Sequence, residues 1–140
     1  MATISNKHTL SVEASTAHLA EVRDFVAVHA QKLGLSQKDI SDIRLAVDEA
    51  YTNIIKHAYK NEASKPVLIE IDFKNSQFWI SLKDEGESFN PDTYKMPDIL
   101  QRIKNKQRGG MGVFLIHKVM DKVQYYRTGQ MNEIRMVKKI

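Results

Sequence analysis

Cysteine is absent from the 140 residues of this chain, and long apolar runs are absent as well. Without cysteine, neither a disulfide framework nor a thiolate metal site can form. No stretch approaches the roughly 20 apolar residues that cross a bilayer, and residues 1–7 lack the apolar core of a signal peptide. We therefore expect a cytoplasmic protein that has no membrane-spanning segment.

The chain also has little net charge. Its 21 Lys and Arg residues exceed its 17 Asp and Glu residues by only four, which gives a net charge of +4. Such a balance permits contact with nucleic acid or with another anion. The acidic residues are spread along the chain, however, and the densest basic stretch, residues 102–108, leads into a glycine-rich segment. This placement favours a local anion site over a DNA-binding face, and a solvated loop is the simpler alternative.

Glycine is scarce, with six residues in all, yet three of the six stand within four positions. They belong to residues 108–112 (RGGMG), which run directly into the apolar residues 113–116. A glycine-rich loop that opens a helix exposes backbone N–H groups at the positive end of the helix dipole, where phosphate binds. The segment therefore predicts a phosphate site, and a flexible loop in front of a core helix is the alternative.

Hydrophobic periodicity predicts the order of the secondary structure. The expected elements are a strand near 7–12, helices over 15–32 and 37–59, a hairpin near 67–73 and 78–82, a helix after the glycine-rich segment, and a hairpin over 122–127 and 132–137. Hairpins imply a mostly antiparallel sheet, and three one-sided helices would cover one of its faces. We expect a single α/β (α+β) domain over residues 1–140, built as a two-layer sandwich.

Two polar residues of the long helix, Glu49 and Asn53, stand four positions apart, so their side chains point to the same flank. They lie off the apolar stripe of that helix. A hydrogen-bonded pair on the surface is the plainest interpretation of an acid and an amide at this spacing. As a functional pair, the carboxylate would accept a proton from a nucleophile, and the amide oxygen would complete the shell of a hard cation such as Mg²⁺.

Asp84 follows Phe78, Ile80 and Leu82 in the alternation of its strand, so we expect it on the buried face. A carboxylate at the end of a buried strand face needs partners. A turn or a cap would provide them without any function, and an acceptor for the amino group of a bound base is the functional alternative. Gly86, two residues later, would allow a flat ligand to lie against the backbone.

Three segments in this order resemble a known ATP-binding domain. They are residues 48–59 (DEAYTNIIKHAY), residues 84–89 (DEGESF) and residues 108–112 (RGGMG). The chain resembles the Bergerat-type fold shared by histidine kinases, type II topoisomerases and their relatives. Within that superfamily it is most similar to the anti-sigma factor serine/threonine kinases of bacterial stress and sporulation switches. Each motif is weak alone, but the three together are specific, and the resemblance covers nearly the whole chain.

The resemblance implies a role for each motif residue. Glu49 would be the general base that activates a serine hydroxyl or water, Asn53 would bind Mg²⁺, and Asp84 would accept the adenine amino group. Gly86 would line the base. The residues that would close over the ATP phosphates are Arg108, Gly109, Gly110, Met111 and Gly112. His57 also matches a family position, but as a lone helix histidine it is expected to pack rather than to catalyse.

Two positions depart from the superfamily pattern. Ser88 stands where a second glycine is usual, although the anti-sigma kinases often have serine there, so this departure supports the narrower resemblance. Asn132 and Glu133 occupy the region of the last hairpin where the family commonly places a threonine near the adenine-binding Asp84. The sequence therefore does not determine how water would be arranged around the base.

The function implied by the resemblance is an ATP- and Mg²⁺-dependent serine/threonine protein kinase that is also an anti-sigma factor. It would phosphorylate an anti-anti-sigma protein and sequester a sigma factor, and the family leads us to expect a homodimer. The 140 residues leave no room for the additional domains of sensor histidine kinases or topoisomerases, so a stand-alone nucleotide domain is expected. We expect no direct contact with nucleic acid.

Two other functions compete with this hypothesis. A nucleotide-gated protein-binding switch without significant kinase activity would use the same motifs, although the presence of Glu49 argues against it. A basic nucleic-acid binder rests only on the net charge, and it would bind DNA in a salt-sensitive manner that is indifferent to ATP.

Overall fold

A computed structural model describes residues 7–62, 64–87 and 111–140 of the chain. Within these ranges the elements are β1 (His8–Glu13), a 3-10 turn (Thr16–His18), α1 (Leu19–Lys32), α2 (Gln37–Asn53), a π-helical turn (Ile54–Ala58), β2 (Pro66–Lys74), β3 (Gln77–Asp84), α3 (Met111–Val119), β4 (Lys122–Thr128) and β5 (Met131–Lys139). Searched over the same ranges, no helix combines the length and the apolarity that a membrane crossing requires.

The five strands form one antiparallel sheet in the order β1-β2-β3-β5-β4. Alternate residues of β2 and β3 are buried beneath the helices, as the period of two predicts. These buried residues are Val67, Ile69, Ile71, Phe78, Ile80 and Leu82. The predicted two-layer sandwich is therefore confirmed, and both predicted hairpins are present with slightly longer strands.

Serine residues cap the first two helical segments as predicted. Ser15 Oγ accepts a hydrogen bond from Ala17 N at 3.1 Å, and Ser36 Oγ accepts one from Asp39 N at 3.1 Å. The first segment opens with the 3-10 turn before it becomes α-helical. Gly34, with φ of +82°, follows α1 in a left-handed conformation that glycine adopts without strain. Local side-chain chemistry thus decides where both helices begin.

The long helix predicted over residues 37–59 changes its winding before it ends. α2 ends at Asn53, and Ile54–Ala58 continues as a π-helical turn. Tyr59 N donates to Ile54 O at 3.0 Å, five residues back along the chain. Such turns are rare and occur frequently at functional sites. The uniform helix expected here is therefore wrong in its last turn.

The backbone of Ala58, at the end of this π-helical turn, lies directly against Gly86. A Cβ atom at Gly86 would overlap the Ala58 carbonyl oxygen and lie 2.8 Å from the Ala58 Cβ, so something would have to move. The same carbonyl accepts a hydrogen bond from Glu87 N at 2.9 Å. The close approach of two backbone segments therefore requires glycine at this position, which is a different reason from the flat ligand considered above.

Lys138 is a buried charge that ties two helices to the sheet. Its Nζ donates to Val119 O at 2.6 Å, at the end of α3, and to Asp42 Oδ2 at 3.0 Å, on α2. A lysine that is 7% exposed needs such partners to offset the loss of hydration. These bonds hold the end of α3 against α2 and β5.

We expect Gly86→Ala to lower the free energy of unfolding by about 1–3 kcal/mol, the usual size for an added group in a tightly packed position. The added methyl group must push the segment after β3 away from Ala58. Urea denaturation followed by circular dichroism measures the change. Glu87→Ala, at the exposed neighbouring residue, is the control and should change the value by less than about 0.5 kcal/mol. Equal midpoints for the two variants would contradict the proposed tight contact.

Candidate functional site

Glu49 and Asn53 lie one turn apart on the same flank of α2, as the sequence predicts, and both are partly buried. Among the described residues, neither side chain has a hydrogen-bond partner, and Glu49 forms no ion pair. The hydrogen-bonded surface pair considered for them is therefore wrong. The acid and the amide are therefore not satisfied by the described residues, which makes them candidates for contact with a ligand.

Burial raises the pKa of the Glu49 carboxyl above its usual value, and the nearby charge of Asp48 raises it further. The ammonium group of Lys56 opposes both effects. Asp48 itself is paired with Arg23 of α1, whose Nε donates to Asp48 Oδ1 at 3.0 Å. A carboxyl group with a raised pKa, a free lone pair and partial exposure has the properties of a general base.

Asp84 ends β3 on the buried face, as predicted, and is 5% exposed. Its Oδ1 accepts two hydrogen bonds, from Gly86 N at 2.9 Å and from Asn132 Nδ2 at 2.9 Å. No residue that the structure describes donates a hydrogen bond to Oδ2. The described residues thus occupy one oxygen of the carboxylate and leave the other as a candidate acceptor for a ligand.

Burial is also the main cause of the raised pKa of Asp84. The hydrogen bonds from Asn132 and from Gly86 N, together with the charge of Arg127, act in the opposite direction. The protein therefore places a carboxylate in a poorly hydrated position and partly compensates for the lost water. The buried, perturbed carboxyl of Asp84 is not a solvated surface turn, and it is a candidate functional residue.

Tyr59 holds the segment after Asp84 in place, and the sequence reasoning did not assign it a role. Its hydroxyl accepts a hydrogen bond from Glu85 N at 2.7 Å and donates one to Pro66 O at 2.6 Å. Tyr59 follows directly after the π-helical turn, so α2 and the end of β3 are joined by this hydroxyl and by the contact of Ala58 with Gly86. The end of the helical segment that carries Glu49 and Asn53 is therefore fixed against the end of the strand that carries Asp84.

The start of α3 is the third predicted part of the site. The described part of α3 runs from Met111 to Val119, so Gly112 lies within the helix and not in the preceding loop. α3 packs against α2. Arg108, Gly109 and Gly110 lie outside the described residues, as does Ser88, and their roles stay predictions.

His57 does not pack in the core. It is exposed on the π-helical turn, so the packing interpretation is wrong. Asn132, which the sequence placed near Asp84 only in general terms, instead contacts it directly. Knowledge of the strand order would have shown this, because Asn132 pairs with Asp84 only where β5 lies beside β3.

Comparison with known proteins points to one family. The model of the histidine kinase-like ATPase domain matches residues 12–138 of this chain. The serine-protein kinase RsbW of Listeria monocytogenes is 32% identical over 130 residues, which cover 90% of this chain and 83% of that protein.

Two solved structures share the fold. The RsbU and RsbW domains of Rv1364c from Mycobacterium tuberculosis superpose with a TM-score of 0.69 at 12% identity, covering 95% of this chain and 32% of that one. A chain of the SiaB–SiaC complex from Pseudomonas aeruginosa has a TM-score of 0.70 at 11% identity, covering 93% of this chain and 88% of that one. At these identities the similarity establishes the fold alone. Taken with the family match and the Listeria relative, it leads to one conclusion: the chain belongs to the histidine kinase-like ATPase family and, within it, to the RsbW-type serine-protein kinases.

Proposed function

We propose that this protein is an ATP-dependent serine/threonine protein kinase that phosphorylates an anti-anti-sigma protein and, as an anti-sigma factor, sequesters a sigma factor. Similarity to a named serine-protein kinase supports the transferase activity. The three sequence motifs support the regulatory partners, because they resemble those of the anti-sigma kinases. In this proposal residues 1–140 form one domain, which acts in the cytoplasm as a homodimer.

The observation that carries the proposal is a pair of partly desolvated carboxyl groups, Glu49 and Asp84, whose pKa values are raised and which keep acceptor atoms that no described residue occupies. Glu49 and Asn53 form no hydrogen bond within the described ranges, and the Oδ2 atom of Asp84 has no donor there. Burial raises the pKa of both carboxyl groups. Such groups are costly to keep in a folded protein unless a ligand uses them.

Asp84 Oδ2 would accept a hydrogen bond from the exocyclic amino group of adenine. Glu49 would accept the proton of the substrate hydroxyl as the γ-phosphoryl group is transferred to it. Its raised pKa brings the carboxyl closer to the pH at which the enzyme works, which makes it a more effective base than an ordinary exposed glutamate. Most of the rate would come from positioning and from stabilisation of the phosphoryl charge.

Asn53 fits the role of a Mg²⁺ ligand. Its amide oxygen is free of hydrogen bonds from the described residues, and those residues contain no cluster of three acidic or histidine side chains that would form a complete metal cage. Mg²⁺ in nucleotide sites is commonly held by one or two side-chain oxygens together with phosphate oxygens. When bound, the ion would neutralise charge on the phosphates.

The phosphates themselves would lie at the start of α3. Met111 and Gly112 lie in the described part of α3 nearest the glycine-rich segment, and N–H groups in the first turn of a helix lack partners within the helix. The preceding Arg108, Gly109 and Gly110 would close over the phosphates. A nucleotide-gated switch without transferase activity would use the same nucleotide contacts, but it would not need Glu49 as a general base.

We expect Glu49→Gln to bind ATP with nearly wild-type affinity and to lose at least ~100-fold in phosphoryl transfer, the usual contribution of a positioned general base. Transfer is measured with γ-labelled ATP and a candidate anti-anti-sigma protein, and affinity by titration calorimetry with and without Mg²⁺. Glu21→Gln, an exposed glutamate on α1, is the matched control. Unchanged transfer by Glu49→Gln would refute the base and favour the switch.

We expect Asp84→Asn to lose ATP binding without losing stability. A buried carboxyl whose pKa is raised on folding contributes stability only below its unfolded pKa, and this contribution is lost as the pH rises through the folded value. A neutral amide should therefore fold at least as stably at neutral pH. Calorimetry and thermal unfolding measure the two effects, with Asp72→Asn at the opposite end of the β2–β3 hairpin as the control. Wild-type ATP affinity in Asp84→Asn would exclude the adenine contact.

A further inference from the structure

Asn132 stands at the centre of a row of three polar side chains that crosses the sheet. In the strand register it pairs with Asp84 on β3 and with Arg127 on β4. Residues that pair directly across antiparallel strands point to the same side of the sheet. The row therefore lies on the face that carries the helices, at the end of the sheet that carries the candidate nucleobase site.

The amide of Asn132 makes contacts on both of its sides. Its Nδ2 lies 2.9 Å from Asp84 Oδ1, 3.0 Å from Gly86 O and 3.1 Å from Glu87 O. Its Oδ1 accepts a hydrogen bond from Arg127 Nη1 at 2.6 Å. One amide that is 9% exposed thus links the end of β3, the turn that follows it and the last hairpin.

Arg127 reinforces the orientation of this amide. A guanidinium group has donors only, so it can pair with the oxygen of Asn132 and not with its NH2 group. The NH2 group must then face the Asp84 carboxylate and the two backbone carbonyls. Without the arginine, only the three acceptors around Nδ2 hold the amide, and the opposite orientation, which would place its oxygen against a carboxylate, becomes less costly.

The orientation of Asn132 determines in turn which oxygen of Asp84 faces a ligand. Oδ1 is held by Asn132 and by Gly86 N, so rotation of the carboxylate would break two hydrogen bonds. Oδ2 is left as the acceptor without a partner in the described ranges. A purine with an exocyclic amino group donates to such an oxygen, whereas a purine with a carbonyl at that position meets it acceptor to acceptor.

We propose that Asn132, oriented by Arg127, is the positioning residue of the nucleobase site: it turns Asp84 Oδ1 inward so that Oδ2 selects a base with an amino donor. This inference rests on the proposed nucleotide site. It gives Arg127, an exposed residue, a part in base selection that requires no contact with the base.

The experiment measures the affinity of the whole chain for ATP and for ITP, in which a carbonyl replaces the amino group. The wild-type protein is expected to prefer ATP. In Asn132→Leu, affinity for ATP should fall about tenfold or more, as when a buried hydrogen bond to a charged group is lost, while affinity for ITP changes little. Asn132→Thr keeps a hydroxyl that can donate to Asp84, so it should retain most of the preference.

A double-mutant comparison tests whether Arg127 acts through the Asn132 amide. Arg127→Met should reduce the preference for ATP in the wild-type background and have no further effect in the Asn132→Leu background, because it acts through that amide. Arg135→Met is the matched control, since Arg135 pairs with Glu133 and lies over the Tyr126 ring on the opposite face of the sheet. It should leave the preference unchanged.

A pH profile separates positioning from packing. In Asn132→Asp a second carboxylate faces Asp84, and two carboxyl groups that share a site raise the pKa of one of them. Once one of them is protonated, its O–H can donate to the other as the Asn132 NH2 group does, so binding of ATP, relative to the wild type, should strengthen as the pH falls through the pKa of the pair. Lost packing alone would weaken it equally at every pH.

The outcomes distinguish this inference from the function on which it rests. If the wild-type protein bound neither nucleotide, the nucleotide site itself would be wrong. If it preferred ATP and a folded Asn132→Leu variant kept the same preference, the positioning role would be overturned. Should Asn132→Leu fail to fold, two other measurements test the positioning role. An unchanged ratio of ATP to ITP affinity in Arg127→Met, together with a pH profile of Asn132→Asp parallel to that of the wild type, would overturn it.

Discussion

The contact between the Ala58 backbone and Gly86 is the constraint on which the candidate site depends. It joins the helix that carries Glu49 to the strand that carries Asp84, and it leaves no space for a Cβ atom. A hydrogen bond of 2.9 Å from Glu87 N to the Ala58 carbonyl oxygen holds the two segments in this contact. Because backbone atoms set this separation, the helix flank and the strand end are held in one geometry. Phosphoryl transfer relies on that kind of preorganisation.

The chain treats its buried carboxylates in two opposite ways. Burial alone would raise the pKa of Asp42, but hydrogen bonds from Lys38 and Lys138 hold that pKa below its usual value. Glu49 and Asp84 are also desolvated, yet their pKa values stay raised because their partners compensate less. The first arrangement stabilises the fold near neutral pH, and the second costs stability. Carboxyl groups perturbed in the second way are candidates for contact with a ligand.

Much of the fold was predictable because burial on one face leaves a local pattern in the sequence. The period of two in β2 and β3 placed Asp84 on the covered face, and the stripe of α2 placed Glu49 and Asn53 on its flank. The π-helical turn was not predictable, because the segment contains neither proline nor glycine and its local sequence reads as a continuation of α2. The contact with the Ala58 backbone explains why Gly86 is glycine, a reason that no local pattern contains.

The sequence by itself determined the elements, their order, the buried face of each and the three motifs, because these follow from spacing along the chain. Only the tertiary structure decided that Asn132 lies between Asp84 and Arg127. That contact exists because β5 is inserted between β3 and β4 in the sheet, and strand order is set by the packing of the whole molecule. It joins residues 48 positions apart, a distance over which no periodicity along the chain carries information.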